Sequence, residues 1–266
     1  MNKLMSKPIL DVSGLTMDFG GIRALDHLDF EVQAKEIVAL IGPNGAGKTT
    51  LFNCLTGIYQ PSSGEIQLAC PKTGRQTRLN GLKPNRITEK GMARTFQNIR
   101  LFSRMTVLEN VMIGRHCRTR SLILGAILRD RRTREEEQET VNKSYEILEK
   151  IGLSGQANEF AGNLSYGAQR RLEIGRAMAT EPFLLLLDEP AAGMNPQETA
   201  ELVALIRRIR DEGHTILLIE HDMKLVMTLS DRIVVMDYGE KIAQGTPAQI
   251  RGNRDVIKAY LGEDAE

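Results

Sequence analysis

The sequence is poor in cysteine, and its three cysteines are far apart. Cys54, Cys70 and Cys117 show neither a CxxC spacing nor the cysteine–histidine spacing of a zinc site. We therefore expect free thiols in a reducing compartment, and neither a disulfide framework nor a zinc centre.

Long apolar runs are also missing. The longest covers about Ser121–Leu128, far short of the roughly 20 residues that a membrane-spanning helix needs. The first ten residues contain lysines, but no apolar segment of signal-peptide length follows them. The expectation is a chain that is neither secreted nor membrane-spanning on its own.

No charge of either sign dominates. Lys+Arg number 35 and Asp+Glu number 34 among 266 residues, so the formal net charge is +1. This balance argues against a protein that binds nucleic acid through a broadly basic surface. With 41% hydrophobic and 26% charged residues, the composition is that of a globular chain, large enough for one big domain or a core with an insertion.

The hydrophobic pattern predicts an α/β core. Alternating or continuous apolar residues predict strands at 9–15, 27–32, 37–41, 65–68, 183–187 and 215–219. The pattern between 106 and 180 is helical, whereas 70–95 gives no clear assignment. Another helix begins at Asn195, Pro196 and Glu198, which supply a cap, a first-turn proline and a capping-box glutamate. This order predicts an α/β core interrupted by a helical subdomain.

A glycine-rich turn between the strand at 37–41 and the next helix carries the strongest signal. Gly42–Thr49 fits the pattern G-x-x-x-x-G-K-[ST] of a P-loop. Backbone N–H groups of such a loop surround phosphate oxygens, and the helix N-terminus adds partial positive charge. Lys48 is expected to reach the β- and γ-phosphates, and the Thr49 hydroxyl to ligate Mg²⁺. The expected nucleotide-binding residues here are Gly42, Pro43, Asn44, Gly45, Ala46, Gly47, Lys48, Thr49 and Thr50.

Two carboxylates follow the apolar strand at 183–187. Asp188 is expected to hold Mg²⁺ through water, and Glu189 to orient and polarise the attacking water. Alone, Asp-Glu-Pro is equally typical of a solvated strand exit, but the P-loop upstream favours the metal interpretation. No guanine-reading N/TKxD sequence occurs, which favours ATP over GTP.

Further motifs make the chain resemble the ATP-binding-cassette (ABC) ATPases. Leu164–Ala168 resembles the family's signature motif, and Ala192–Asn195 its D-loop. Gln97 resembles the Q-loop glutamine, His221 the switch histidine, and Phe19 the A-loop aromatic that stacks on adenine. The motifs follow the family's order over essentially the whole chain.

This resemblance implies a fold and roles for these residues. The fold is a P-loop NTPase (RecA-like) core at 1–100 and 176–245 with an antiparallel β-subdomain, a helical signature subdomain at 101–175, and a tail at 246–266. Gln97 would act in catalysis and ligate Mg²⁺, and His221 would lie near the γ-phosphate. Ser165 and Gly167 would face the γ-phosphate of ATP held by the opposite cassette. Phe19 alone would more often be an ordinary core aromatic.

Three positions depart from the family's commonest pattern. Tyr166 replaces a glycine and Ala168 a glutamine of the signature, so we assign neither a role. Asn195 stands where the D-loop usually has aspartate, and it also serves as the predicted helix cap. Its role between cassettes and its role as a cap therefore remain equal alternatives.

Within the family, the chain most resembles the ATP-binding subunits of branched-chain amino-acid importers. The resemblance is carried by five segments: Phe52–Gly57, Arg94–Phe102, Glu189–Pro196, Leu217–Met227 and Asp255–Glu263. It implies a peripheral subunit on the cytoplasmic face of the inner membrane, with ATP and Mg²⁺ as cofactors. Its implied partners are membrane-spanning permease subunits, a second cassette bound head-to-tail and, indirectly, an external solute-binding protein.

Other functions share part of this pattern. A cassette for lipid or lipopolysaccharide export would have the same catalytic motifs, and only the five segments argue against it. A soluble ABC protein of DNA repair or translation would call for coiled-coil insertions, zinc cysteines or two cassettes in one chain, and a kinase for an acceptor site. None of these features is visible in the sequence.

A local basic segment stands out at 115–134. It contains seven arginines (115, 118, 120, 129, 131, 132 and 134) against one acid, Asp130. One interpretation is a solvated loop whose apolar centre packs on neighbouring helices. The alternative is that the arginines face anionic headgroups or acidic permease loops.

Overall fold

The computed structural model describes residues 7–118 and 131–261, and only the backbone of 131–134 and 261. The apolar stretch at 121–128 lies outside the described residues, as do the side chains of five of the seven arginines. The strands are β1 (Leu10–Phe19), β2 (Ile22–Val32), β3 (Ile37–Ile41), β4 (Ser63–Ala69), β5 (Gln76–Arg78), β6 (Met92–Arg94), β7 (Leu184–Asp188), β8 (Thr215–Ile219), β9 (Arg232–Asp237) and β10 (Glu240–Gly245). The α-helices are α1 (Lys48–Leu55), α2 (Pro84–Glu89), α3 (Val107–Arg115), α4 (Arg131–Lys150), α5 (Tyr166–Met178), α6 (Pro196–Asp211), α7 (Met223–Leu229), α8 (Pro247–Arg251) and α9 (Arg254–Leu261).

Four strands form an antiparallel sheet in the order β2-β1-β4-β5. Their side chains alternate between the core and the outer face: Leu28, Phe30 and Val32 of β2 are buried, and the residues between them are exposed. This alternation is typical of a sheet with one solvated face.

The second sheet is largely parallel and holds the centre of the molecule. Its order is β10-β9-β3-β8-β7-β6, and only the β10–β9 pair is antiparallel. Every residue of β3, β7 and β8 is buried, because helices or the other sheet cover both faces. β3 and β8 have the bounds that the sequence predicts, and β7 is shifted by one residue, so that it ends on Asp188.

The helical residues share their core with this sheet. One cluster of buried side chains joins Ile37 and Leu187 of the sheet to Val111, Leu148 and Leu172 of the helices. The segment between β6 and β7 therefore packs as part of the same body, since no separate set of apolar side chains serves it within the described residues.

Two regions that the sequence left undefined are ordered into elements. The unassigned stretch at 70–95 contains β5, α2 and β6, and β6 is the edge strand of the parallel sheet. The predicted tail forms α8 and α9, which bury Ile250 and Val256 in the cluster that contains Ile37. The tail is thus packed on the core.

The cysteines are unpaired, as the sequence predicts. Cys54, Cys70 and Cys117 are free, and burial raises the pKa of Cys54 to about 12. Among the described residues, no cluster of three or more His, Cys, Asp or Glu side chains could hold a metal. No helix in the described ranges is both long enough and apolar enough to cross a membrane.

Candidate active site

The loop between β3 and α1 has a backbone that requires glycine. Gly42 has φ of 150°, and a Cβ there would lie 2.0 Å from the carbonyl oxygen of Met236. Gly47 has φ of 96° at the N-cap of α1, where a Cβ would lie 2.5 Å from the carbonyl oxygen of Ala24. Both positions need a residue without a side chain. The loop therefore leads directly into a helix N-terminus, the arrangement that suits a phosphate group.

Lys48 crosses this loop. Its Nζ donates to the carbonyl oxygens of Gly42 at 2.7 Å and Pro43 at 2.8 Å, and the residue is 6% exposed. Burial lowers the pKa of Lys48, and the negative charge of Glu189 works in the opposite direction. The ammonium group is therefore fixed at the loop, with an acidic residue close enough to influence it. Thr49 is exposed at the start of α1.

Three predicted catalytic residues converge at the carboxyl ends of β7 and β8. The two oxygens of the Glu189 carboxylate have different partners: Gln97 Nε2 donates to Oε2 at 2.8 Å, and His221 Nε2 lies 2.6 Å from Oε1. The Glu189 N–H donates to the carbonyl oxygen of Ile219 at 2.9 Å. Glu189 has φ of 47°, a left-handed conformation that is uncommon outside glycine and is often found at functional positions. The structure thus joins Gln97, Glu189 and His221 in one hydrogen-bonded group.

Glu220 is a third carboxylate at this edge, after Asp188 and Glu189, and the sequence did not single it out. It is 4% exposed, and its oxygens accept from the N–H groups of Ala191 at 2.8 Å and His221 at 3.1 Å. Burial raises the pKa of Glu220, although these backbone hydrogen bonds act against the shift. Glu220 thereby ties the backbone at Ala191, two residues after Glu189, to the backbone at His221. Its position next to the switch histidine was the only signal in the sequence.

Arg94 was also missed, and it contacts the predicted metal-holding carboxylate. Arg94 Nη2 donates to Asp188 Oδ2 at 2.6 Å, with 6% and 7% of the two side chains exposed. Arg94 is the first residue of the segment Arg94–Phe102, which also contains Gln97, and this was its only signal. The sequence gives no strand order that would place Arg94 beside Asp188. Asp188 is therefore part of a buried ion pair.

The predicted signature residues begin α5. Ser165 is the N-cap, and its hydroxyl accepts from the Ala168 N–H at 3.3 Å. The Gly167 N–H donates to Glu198 Oε1 at 3.3 Å, and a Cβ on Gly167 would lie 2.6 Å from that same oxygen. The signature residues therefore face the start of α6, apart from the group formed by Gln97, Glu189 and His221.

Tyr166 is the first departure from the signature pattern. It contacts the D-loop and Arg170, one turn further along α5. A Cβ on Gly193 would lie 3.3 Å from the Tyr166 ring, and Arg170 Nη2 donates to the Tyr166 hydroxyl at 3.1 Å. Arg170 in turn donates to the carbonyl oxygens of Phe96, at 2.8 Å, and Gln97. One buried arginine thus connects the signature helix with the segment that carries the catalytic glutamine.

Asn195 caps α6, as one of its two interpretations predicts. Its Oδ1 accepts from the Glu198 N–H at 3.0 Å, and the Asn195 N–H donates to Glu198 Oε2 at 3.1 Å. The capping box predicted at this helix start is confirmed. The role of Asn195 between cassettes stays a prediction. Ala168 is buried, and nothing in the structure gives it a further role.

Phe19 lies at the end of β1 and is 39% exposed. Its ring packs edge-on against Tyr59, with centroids 5.2 Å apart. An aromatic ring that is held by a neighbour and still partly exposed is available for stacking. Tyr59 was not singled out in the sequence.

The C-terminal helix reaches the glycine-rich loop. Burial raises the pKa of the Tyr260 hydroxyl, and a hydrogen bond from the Gly42 backbone acts against that shift. Tyr260 belongs to α9, within the part of the chain that the sequence suggested was only a tail.

Two arginines of the basic segment can be placed, and both are used inside the protein. Arg115 is 5% exposed and pairs with Glu181 at 3.0 Å. Arg118 Nε donates to the carbonyl oxygen of Thr180 at 2.7 Å. For these two residues, the hypothesis that the arginines face the membrane or permease is wrong, because their guanidinium groups bind neighbouring elements. The side chains at 120, 129, 131, 132 and 134 lie outside the described part of the chain.

Sequence comparisons agree with this geometry. The sequence pattern of the ABC transporter family matches residues 25–192, and that of the branched-chain amino acid ATP-binding cassette transporters matches residues 240–266. The chain is 52% identical to the high-affinity branched-chain amino acid transport ATP-binding protein BraF of Pseudomonas aeruginosa, over 97% of this chain and 100% of that protein. It is equally identical, with the same coverage, to the protein LivG of Escherichia coli strain K12, whose name is otherwise the same.

The fold agrees as well. The ADP conformation of MJ1267, an ATP-binding cassette of an ABC transporter, superposes with a TM-score of 0.83 at 31% identity and covers 97% of this chain and 100% of that one. The chain therefore belongs to the ABC transporter family, as its ATP-binding cassette. It is the ATPase subunit of a transporter.

Proposed function

We propose that this cassette hydrolyses ATP for an importer of branched-chain or related amino acids. The observation that carries the proposal is the 52% identity, over nearly the full length, to two proteins named for branched-chain amino acid transport. The match of the C-terminal residues to the branched-chain pattern adds to it, since this segment lies outside the part matched by the general ABC pattern. Export of lipid or lipopolysaccharide has no comparable support.

Nucleotide binding follows from the loop between β3 and α1. The backbone N–H groups of Asn44–Thr50 hold the phosphates, and the Lys48 ammonium neutralises charge on the β- and γ-phosphates. The Phe19 ring stacks on the adenine. The exposed face of Phe19 and the fixed ammonium of Lys48 support these roles.

The residues at the strand ends suit Mg²⁺. Thr49 offers an exposed hydroxyl, Asp188 a carboxylate, and Gln97 a side-chain oxygen, because its nitrogen is engaged with Glu189. An all-oxygen donor set is the one that Mg²⁺ prefers. When bound, the ion would neutralise charge on the phosphates.

Glu189 performs the central step of the proposed reaction. Its carboxylate orients the water and accepts its proton as the water attacks the γ-phosphate. His221 Nε2, 2.6 Å from Glu189 Oε1, would orient that carboxylate. Gln97 and His221 each engage one oxygen of Glu189, and the remaining lone pairs of the carboxylate are the acceptors for the water.

The signature residues act on a second cassette. Ser165 and Gly167 contribute the N-terminus of α5, where backbone N–H groups and the helix dipole favour an anion. Two cassettes that close head-to-tail would bring these residues to the γ-phosphate of the partner's ATP. The exposure of Ser165 supports this role.

The partners are permease subunits at the cytoplasmic face of the inner membrane. A groove of about 660 Å³ lies between α2, β6 and the helices α3 and α5. Its lining includes Phe102, 49% exposed, and Ile113, 37% exposed, which can bind an apolar side of a permease segment. The external solute-binding protein contacts the permease and not this chain.

Replacement of the chromosomal gene by its Glu189→Gln variant tests the proposal in the source organism. Glutamine keeps the size of the side chain and removes its basicity, so we expect ATP binding to persist and hydrolysis to fall by at least about 100-fold. High-affinity uptake of labelled leucine, isoleucine and valine should be lost, while uptake of sulfate stays normal. Normal uptake of all three amino acids together with loss of another solute's uptake would contradict the proposed solute class.

A further inference from the structure

Sheet register places Arg94 on the same face as Asp188. β6 and β7 are parallel neighbours in which Arg94 lies beside Leu186, two residues before Asp188. Side chains two residues apart on a strand point to the same face. The guanidinium at the end of the edge strand therefore reaches the carboxylate at the end of β7.

The other half of the Arg94 guanidinium is fixed to α1. Arg94 Nη1 donates to Asn53 Oδ1 at 2.7 Å and lies 3.3 Å from Thr56 Oγ1. Both partners belong to the helix that follows the phosphate-binding loop or to its C-cap. One planar group thus holds the Asp188 carboxylate at a defined distance from α1.

Two aromatic rings fix the guanidinium further. Its central carbon lies 5.4 Å from the centroid of the Phe52 ring and 5.1 Å from that of Phe96. Phe96 immediately precedes Gln97, so the same guanidinium contacts α1, β7 and the segment that carries the catalytic glutamine.

We propose that Arg94 is a positioning residue for the metal site: it holds Oδ2 of Asp188 and thereby presents Oδ1 to the hydration shell of the ion. The inference rests on the metal role of Asp188 proposed above. In this role Arg94 acts through Asp188 and not directly on the nucleotide or the ion. Its effect comes from the fork of two Nη groups, one on Asn53 and one on Asp188.

A charge alone does not replace this fork. Lysine keeps the positive charge but presents a single ammonium on a flexible chain, which cannot hold Asn53 and Asp188 in one plane. Arg94→Lys therefore removes the geometry while it keeps the charge that balances Asp188. The variant separates positioning from simple charge compensation.

The test measures how strongly Mn²⁺ increases the affinity of the full-length cassette for the non-hydrolysable analogue AMP-PNP. Dissociation constants are determined with EDTA and with Mn²⁺, and their ratio reports the metal's contribution. In Arg94→Lys we expect the dissociation constant measured with EDTA to stay within about twofold of the wild-type value. The enhancement of affinity by Mn²⁺ should fall at least about fivefold, and ATP turnover should be lowered as well. Asn53→Ala, which keeps Arg94 but removes one anchor, should lower the enhancement in the same direction by a smaller factor.

Arg115→Lys is the matched control, because Arg115 is also a buried arginine paired with a carboxylate, that of Glu181. It should leave the enhancement and the turnover unchanged. An unchanged or larger Mn²⁺ enhancement in Arg94→Lys, alongside a reduced enhancement in Asp188→Asn, would overturn the role of Arg94 and keep that of Asp188. An unchanged enhancement in Asp188→Asn would overturn the metal role of Asp188, and the inference with it.

Discussion

At the scale of single residues, three carboxylates at the same sheet edge have different environments. Asp188 is paired with Arg94, whereas Glu189 is held by Gln97 and His221. Glu220 is buried, and backbone N–H groups are its partners. The sequence predicted Asp188 and Glu189 from their place after an apolar strand. It could not assign Glu220, because burial and backbone partners are properties of the fold.

Glu220 has a consequence for stability that can be measured. Burial raises its pKa above the ordinary value of 4.5, so the fold favours the protonated form. This contribution is fully present below the unfolded pKa and is lost as the pH rises through the raised folded pKa. We therefore expect the wild-type protein to lose stability relative to Glu220→Gln as the pH increases from about 4.

Urea unfolding of both proteins at several pH values between 4 and about 8 checks this. Glu240→Gln serves as a control for the loss of an exposed carboxylate, since Glu240 is exposed on β10. A difference between wild type and Glu220→Gln that is constant with pH would contradict the raised pKa.

At the scale of elements, local sequence determined the strongly patterned segments. The fully buried strands β3 and β8 and the capped start of α6 were predicted with the observed bounds. The short edge strand β6 was not, because three residues that include an arginine carry too little periodicity. The contact of Arg94 with Asp188 depends on β6 lying beside β7, and a sequence alone does not give that order.

The start of α6 has a second function that its local sequence does not show. Glu198 closes the capping box with Asn195 and also accepts from the Gly167 N–H of α5. Glu198→Ala removes both contacts, and we expect a loss of about 1 kcal/mol for the cap plus about 1 kcal/mol for the hydrogen bond.

Glu109→Ala is a matched control, because Glu109 closes the same kind of box with Thr106 at α3, and its side chain hydrogen-bonds to no other residue within the described part of the chain. It should lose only the contribution of the cap, about 1 kcal/mol in denaturant unfolding. Equal losses in the two variants would show that the contact between Glu198 and Gly167 contributes nothing to stability.

At the scale of the whole molecule, the helices and the parallel sheet share one hydrophobic core. We therefore expect them to unfold together. Leu148 of α4 is fully buried in the cluster that also contains Ile37 and Leu187. Leu148→Ala should therefore lower the free energy of unfolding by about 2–5 kcal/mol in a single transition.

Ile22→Ala is the control for this change, since Ile22 is 73% exposed and should shift stability by no more than about 0.5 kcal/mol. Two separate unfolding transitions, measured by far-ultraviolet circular dichroism and by hydrogen exchange, would contradict a shared core. Loss of hydrogen-exchange protection in α3–α5 with unaltered protection in the sheet would also contradict a shared core.

The central claim is that ATP bound at the loop between β3 and α1 is hydrolysed there. Lys48 is fixed to that loop by two hydrogen bonds, and its charge is the one expected to act on the β- and γ-phosphates. The most direct test is phosphate release from ATP by the purified transporter complex containing wild-type or Lys48→Ala chain, with exposed Lys241→Ala as the control. We expect hydrolysis at the background rate in Lys48→Ala and normal hydrolysis in Lys241→Ala; wild-type turnover in a correctly folded Lys48→Ala protein would contradict hydrolysis at this loop.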